Sequence, residues 1–590
     1  MRHSPPADPS ADPLQTSPGH ARTPGDVRPG RDPARSRRTA ASLLLLVVAA
    51  LAALGWWWRL GVPVPIAEPG AERLDCVSYA PFRLHGETPF DPQARVDEAR
   101  IELDLRLLSA RTGCIRTYAV SQGLDAVPKV ARRLGMTVLL GAWLGRDRAA
   151  NETELSLALR IAREHPDVVR ALVVGNEVML RRELPEAELV GYIERARREA
   201  GVPVTYADVW EFWLKHPSIA PAVSFVTIHV LPYWEDEPVG IDAAIAHVVA
   251  VHAQMRAALP GRELLVGETG WPSDGRARRD AVPGRVEQAR FVRQFTRAAA
   301  EHGIRYNLIE AFDQPWKRHL EGAMGGAWGL YDSAGRPKFD WHGAVAPRPG
   351  WRAGLWAALA GALLGAAALA TAAARTGPAG ALRLHAAIGA AGGTVLGAML
   401  AEQLRHMAVW NRGPLEWGVT AAATVAVTAC CAASGLLAAR RLGDPTRADA
   451  PRLLPGMAPV LRDWIRAGRD PNLAGWTSVL HGAVLFSAAV TVVLHGFDAR
   501  YRGFDWPLFA PAALAAVLLW VAGLRRGAGA VEERWLAGVT AAGAVLMVLA
   551  EGPLNRQALG YAALMGLLAG CAAARARTSS PSSAPTAAGS

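Results

Sequence analysis

The chain has 590 residues, half of them apolar, with 64 Lys and Arg against 53 Asp and Glu. That length exceeds a single core and argues for two or more domains. The formal charge of +11 does not mark a nucleic-acid binder: the arginines gather in the N-terminal tail and between hydrophobic runs, where the positive-inside bias accounts for them.

Residues 1–40 are rich in Pro, Ser, Arg, Asp and Gly and read as a disordered basic cytoplasmic tail. Arg35, Arg37 and Arg38 precede the apolar run 41–60, which ends in Trp56, Trp57 and Trp58. Charge before and an aromatic belt after predict an anchor with its amino end inside. A cleaved signal peptide is the rival, but the run is long for one and no small-x-small site follows at once.

Residues 62–345 carry charges and Gly/Pro turns like an exported soluble domain. Eight strand-like runs recur there: Asp75–Pro81, Cys114–Val120, Thr137–Leu144, Val169–Glu177, Val202–Val209, Phe225–Tyr233, Glu263–Gly270 and Arg305–Phe312. Between them lie helical patterns, among them Gln93–Ala110, Leu124–Leu134, Glu152–His165, Pro185–Ala200, Ile241–Ala258 and Arg285–His302. This alternation predicts an α/β fold, a (β/α)8 TIM barrel. A doubly wound sheet would carry a glycine-rich phosphate turn after its first strand, and Ser78-Tyr79-Ala80-Pro81 is not one.

Residues 353–577 predict an all-α polytopic membrane domain, with seven spans near 353–374, 383–401, 417–438, 476–495, 507–524, 535–550 and 558–574, before a disordered tail at 578–590. Arginine counting tests the orientation. With residues 62–345 outside, the inside loops hold Arg375 and Arg383, then Arg440, Arg441, Arg447, Arg452, Arg462, Arg466 and Arg469, then Arg525, Arg526 and Arg534, then Arg575 and Arg577. The outside loops hold only Arg405, Arg412, Arg500, Arg502 and Arg556. Eight spans in all, with both ends cytoplasmic, fit this bias. The Ala- and Gly-rich runs predict tight helix packing, and His385, His481, His495 and Glu551 fall at or near span ends.

Cys76, Cys114, Cys430, Cys431 and Cys571 show no metal-ligand spacing, so no metal or cofactor is expected. A disulfide between Cys76 and Cys114 is conceivable in an exported domain. Alternation argues against it: if Tyr79 and Arg116 both point into the barrel, Cys114 points in and Cys76 out.

At the carboxyl ends of the strands collect Tyr79, Arg116, Tyr118, Trp143, Asn176, Glu177, Asp208, His229, Tyr233, Glu268, Trp271, Glu310, Phe312 and Asp313. That is where barrel enzymes keep their catalytic groups. Aromatic faces mixed with hydrogen-bonding groups suit a sugar better than a phosphate or a metal. Glu177 and Glu268 end two different strands, and paired carboxylates are what glycoside hydrolysis requires. The bland reading of any single one is a salt-bridge partner, and Glu310 and Lys317 could simply pair with each other.

Five strings, Cys-Ile-Arg-Thr-Tyr (114–118), Val-Val-Gly-Asn-Glu-Val (173–178), Ile-His-Val-Leu-Pro-Tyr-Trp (228–234), Gly-Glu-Thr-Gly-Trp-Pro-Ser (267–273) and Glu-Ala-Phe-Asp-Gln-Pro-Trp-Lys (310–317), resemble glycoside hydrolase family 17 over roughly residues 74–342. This is the β-1,3-glucanase family, within the barrel clan of retaining glycosidases. The apolar carboxyl half is similar to that of membrane-bound bacterial members called β-(1,6)-glucan synthases. The resemblance implies Glu177 as acid/base and Glu268 as nucleophile, with Glu177 keeping its proton near neutral pH through burial and the nearby charge of Glu268. It implies Asn176 on the sugar 2-hydroxyl and Arg116 and Tyr233 orienting Glu268. Tyr79, Tyr118, His229, Trp271, Glu310 and Lys317 are implied subsite residues. The expected function is a glycosidase or transglycosylase on β-1,3/β-1,6-glucan, held in the bacterial inner membrane with its barrel periplasmic, with a glucan synthase or export protein as partner. The alternative is a non-catalytic glucan-binding or export component. A nucleotide-sugar transferase would need Asp-x-Asp-type metal ligands in a cytoplasmic domain, which the loop 440–475 does not offer.

Overall fold

The structure, a computed structural model, describes residues 33–376, 381–443, 453–527 and 531–574. The expectations for residues 1–32, Arg447, Arg452, Arg575, Arg577 and the tail from 578 lie outside the described residues.

Eight parallel strands close into a barrel in sequence order: β1 (Val77–Ser78), β2 (Cys114–Arg116), β3 (Thr137–Ala142), β4 (Val169–Asn176), β5 (Val204–Val209), β6 (Val226–His229), β7 (Leu264–Thr269) and β8 (Tyr306–Leu308). Each falls inside its expected run. Alternation sorts their side chains. Leu139, Ala171, Val173, Ala207 and Leu265 fill the barrel with Cys76 and Cys114, while Val77, Ile115, Val138, Leu140, Leu172 and Val174 face the helices outside.

Cys76 and Cys114 are both buried and form a disulfide, 38 residues apart in sequence. The alternation argument fails at its premise. Tyr79 does not point inward; its hydroxyl donates to Asp104 (3.1 Å) on the helix outside the barrel. Ser78 is the inward residue, within reach of Tyr118 and Asn307, so Cys76 is inward as well and meets Cys114 on the neighbouring strand.

Before the barrel comes α1 (Pro33–Gly61), which starts inside the segment expected to be disordered. Around the barrel run α2 (Glu98–Ser109), α3 (Val127–Arg133), α4 (Arg148–Glu164), α5 (Glu186–Glu199), α6 (Trp210–Lys215), α7 (Ile241–Ala258) and α8 (Arg285–His302), with the short α9 (Arg318–Glu321) in the loop after β8. Their ends follow capping chemistry: Asp97 accepts the amide of Arg100, Asp147 those of Ala149 and Ala150, and Gly303 ends α8 in the left-handed region.

The carboxyl half is helical: α10 (Arg352–Thr376), α11 (Ala381–Trp410), α12 (Pro414–Gly443), α13 (Met457–Ala467), α14 (Leu473–Asp498), α15 (Trp506–Val521), α16 (Val531–Glu551) and α17 (Arg556–Ala573). Each of the seven expected runs is a helix. Six helices among the described residues, α1, α10, α11, α12, α14 and α16, are long and apolar enough to cross a membrane. Helix α15 is apolar but spans 16 residues. Helices α10 and α11 meet backbone to backbone, because Gly361 and Gly365 lie against the carbonyls of Gly393 and Gly389, where a Cβ has no room. The helical histidines are hydrogen-bonded within the bundle, His385 to Ala381, His481 to Ser434 and His495 to Thr491 and Gly503.

The carboxyl-terminal mouth of the barrel faces the ends of these helices. Val64 pairs with Val345, so the two segments joining the barrel to α1 and α10 run side by side. Further contacts tie the loops after β7 and β8 to the bundle: Arg405 with Asp274 (2.8 Å), Arg318 with the carbonyl of Ala408 (3.0 Å), and Asn555 with the carbonyl of Ala277 (3.0 Å).

Candidate active site

Glu268 is the penultimate residue of β7 and 5% exposed. Its Oε1 accepts from the Tyr118 hydroxyl (2.9 Å) and from Arg116 Nη1 (3.2 Å). Arg116, at the end of β2 and 1% exposed, also donates to the Gly267 carbonyl (2.8 Å) and to Asn176 Oδ1 (2.5 Å). A cation and a hydroxyl are thus both aimed at one oxygen of this carboxylate. The Asn176 oxygen is thereby engaged, which fixes the orientation of its side-chain amide.

Glu177 follows β4 directly. Its backbone adopts φ +51°, in the left-handed region that non-glycine residues rarely occupy. Its amide still donates to the Ala207 carbonyl on β5 (2.8 Å), so the chain turns only after the last ladder bond. Asp208 secures this turn. Its Oδ2 accepts the amide of Met179 (3.2 Å) and the hydroxyl of Tyr206, and burial pushes its carboxyl up to about 6.

Between the two glutamates sits His229, fully buried. Its Nε2 lies 3.4 Å from Arg116 Nη1, and its Nδ1 lies 3.1 Å from Glu177 Oε1. Arginine can only donate, so Nε2 must carry the lone pair and Nδ1 the proton, which is donated to Glu177. Burial pushes the Glu177 carboxyl up, but this hydrogen bond and the positive charges of Arg181 and Arg116 act the other way, and the net direction is below the ordinary carboxylate range. That is opposite to the rise expected from burial and the charge of Glu268.

Carboxylate oxygens of Glu177 and Glu268 and a nitrogen of His229 lie within 4.8 Å of one another. Such a triad has the donor set for a cation. The Arg116 guanidinium, at 3.2 Å from Glu268 and 3.4 Å from His229, already supplies a fixed positive charge there and would repel one.

Other expected site residues fall elsewhere. Tyr79 lies outside the barrel wall, buried against Asp104 and Phe312. Tyr233 does not reach Glu268; its hydroxyl donates to the Arg276 carbonyl (2.6 Å), and Tyr118 takes the role expected of it. Trp271 is fully buried against Phe291 and Tyr233, with its indole N–H on the Val282 carbonyl, and offers no face to a ligand. Glu310 and Lys317 pair with each other through two 2.9 Å bonds, and burial pushes Glu310 up to about 7 against the pull of the ammonium. Helix α6 divides: Trp213 is packing, 1% exposed, while Phe212 lines the cavity beside Glu177. Sequence reasoning missed Arg181, which clamps the Asn176 carbonyl and lies over Trp143 at 4.1 Å. Its only sequence signal is its place four residues after Glu177.

The family model of the BtgE/BtgC glycoside hydrolase domain matches residues 76–329. The glucan 1,3-beta-glucosidase of Arthroderma benhamiae is 25% identical over 261 residues, 41% of this chain and 84% of that protein. That of Schizosaccharomyces pombe is 28% identical over 230 residues, 36% of this chain and 72% of that protein. Among solved structures, the glycoside hydrolase family 17 β-1,3-glucanosyltransferase from Rhizomucor miehei aligns at a TM-score of 0.40 and 22% identity, covering 45% of this chain and 95% of that one. Over residues 76–329 the barrel of this chain is similar to the BtgE/BtgC glycoside hydrolase domain.

Proposed function

We propose that the protein is a membrane-anchored retaining enzyme that cleaves β-1,3-glucan and passes the released glycosyl group to water or to a second sugar. Glu268 is the nucleophile. Arg116 and Tyr118 aim it, and its carboxylate oxygen attacks the anomeric carbon. Glu177 donates a proton to the departing glycosidic oxygen, leaving a glycosyl–Glu268 ester. It then takes a proton from the incoming hydroxyl as the ester breaks. Asn176, tied to Arg116, offers its amide N–H groups to the sugar 2-hydroxyl.

The observation that carries this reading is the close approach of two carboxylates in unlike surroundings. Their oxygens come within 4.8 Å, near the ~5 Å separation of retaining enzymes and short of the ~6.5 Å or more that inversion needs for a water. One is ringed by a cation and a hydroxyl; the other touches only an imidazole and opens on the cleft. The names of the fungal relatives, glucan 1,3-beta-glucosidases, support the substrate class.

The full-length protein supplies the test, with an activated aryl β-glucoside and azide. Glu177→Ala should lose on the order of 10²- to 10⁴-fold in turnover of glucan; with the activated aryl glucoside, whose leaving group needs no proton, azide should attack the glycosyl–Glu268 ester, raise turnover and give the β-azide. Glu268→Ala with azide should give the α-azide instead. The same anomer from both variants would falsify the two-step assignment. With β-1,3-oligosaccharide alone, products longer than the substrate mark transfer, and only shorter ones mark hydrolysis.

We assign the helical half to a membrane, with eight spans and the barrel on the outer side. Support comes from the six long apolar helices and from the partition of arginines. A glucan synthase or export protein is the partner this arrangement favours.

A further inference from the structure

The cleft beyond Glu177 is not walled by the barrel alone. A cavity of about 900 Å3 opens there, with Glu177, Phe212 and Trp234 on the barrel side and Ala499, Arg500 and Ala550 of the helical bundle on the other. Glu268 is not part of its lining. In a retaining displacement the leaving group departs past the acid/base, and the acceptor enters by the same side. The bundle therefore faces the place where leaving group and acceptor bind.

This second wall is firmly held. Arg276, from the loop after β7, is 4% exposed; it donates to the carbonyls of Ala499 (3.1 Å) and Arg502 (2.7 Å) and pairs with Glu551. Tyr501 donates from its hydroxyl to the Leu320 carbonyl (2.8 Å). Gly322, at φ +86°, lies so close under the Arg500 carbonyl that a Cβ would collide with it. With its backbone fixed, the exposed Arg500 side chain reaches over the Trp234 indole at 4.8 Å.

We propose that the sugar subsites on the acid side are built jointly by barrel and bundle, with Arg500 and Trp234 binding the leaving-group or acceptor part of a neutral gluco-oligosaccharide. A guanidinium lying on an aromatic ring keeps its N–H donors at the edge, where hydroxyls can accept them. Carboxylates such as Glu211, Glu235, Asp236 and Glu551 and cations such as Lys215, Arg278 and Arg279 line the same space in near balance, so its field selects neither an anion nor a cation. The volume suits a ligand larger than one ring. This inference rests on the retaining reading above, and it gives the helical half a part in the chemistry beyond anchoring.

The test compares two substrates in full-length protein: a β-1,3-gluco-oligosaccharide, whose leaving group is sugar, and an aryl β-1,3-diglucoside, whose leaving group is a small ring. Arg500→Ala should lower the ratio of kcat/KM, oligosaccharide over aryl substrate, by about tenfold, the scale of one charge-assisted hydrogen bond. Arg500→Lys should fall between. Because the ratio is internal, loss of folded protein cancels from it. A ratio within about twofold of wild type in Arg500→Ala overturns the proposal. Wild-type protein that turns over neither substrate overturns the retaining reading, and this one with it.

Discussion

At the scale of single residues, His229 stands between the two carboxylates of the site. It donates to Glu177 and holds that carboxyl down against burial. In the proposed reaction Glu177 acts in its protonated form, so loss of its proton contributes to the falling limb of the kcat/KM profile. Removing the imidazole leaves burial as the main influence, and burial favours the neutral acid. In His229→Asn the falling limb should therefore move to higher pH, with a lower plateau; a limb that stays put or moves down contradicts the assignment. Glu177, Glu268, Asn176 and Arg116 were legible because each ends a strand run, where the barrel aims side chains at its mouth. Tyr79, Tyr233 and Trp271 were misjudged for a single reason. Sequence shows that an aromatic is near the mouth, but which face of the strand or loop it takes depends on the partner it finds, here Asp104, the Arg276 carbonyl and the Phe291 ring.

At the scale of elements, periodicity located every strand and most helices, because a buried parallel strand and an amphipathic helix leave different patterns. It did not locate the disulfide, since register within β1 is set by two residues and one wrong inward residue inverts the answer. The bond closes a separation of 38 residues, for which loop entropy gives at most about 4 kcal/mol. Replacing both Cys76 and Cys114 by Ala should cost about 2–4 kcal/mol, read as a lower Tm, and reductant should lower the wild-type Tm but not that of the variant. The α10–α11 contact makes a second prediction. Gly393 faces the Gly361 carbonyl with no room for a side chain. Gly393→Leu must push the helices apart, at about 1–3 kcal/mol or more, and should reduce the yield of folded protein. The same change at Gly392, which has open space, should be tolerated far better.

At the scale of the whole molecule, the helix ends sort into two sets. The carboxyl ends of α1, α11, α14 and α16 and the amino ends of α10, α12, α15 and α17 lie on the barrel's side. There Arg348 reaches Glu402, Arg412 reaches Glu416, Arg276 reaches Arg502 and Glu551, and Asn555 reaches Ala277. At the opposite end Arg35 donates to the Leu442 carbonyl (2.8 Å), and Leu453–Leu454 pairs with Arg525–Arg526. This sorting is compatible with the proposed eight spans, and Arg440, Arg462, Arg466 and Arg525 fall at the end away from the barrel, the side that the positive-inside bias would make cytoplasmic under that proposal. The amphipathic α13 lies in one of those loops, its amino end held by Glu532 and Glu533. Single cysteines test the arrangement in a background with Cys430, Cys431 and Cys571 changed to Ser. His85→Cys, in an exposed barrel loop, should react with a membrane-impermeant thiol reagent on intact cells. Arg466→Cys, exposed on α13, should react only after the membrane is opened. Equal labelling of the two on intact cells would place both on one face, and the odd number of crossings between them, α10 to α12, rules that out if each helix spans.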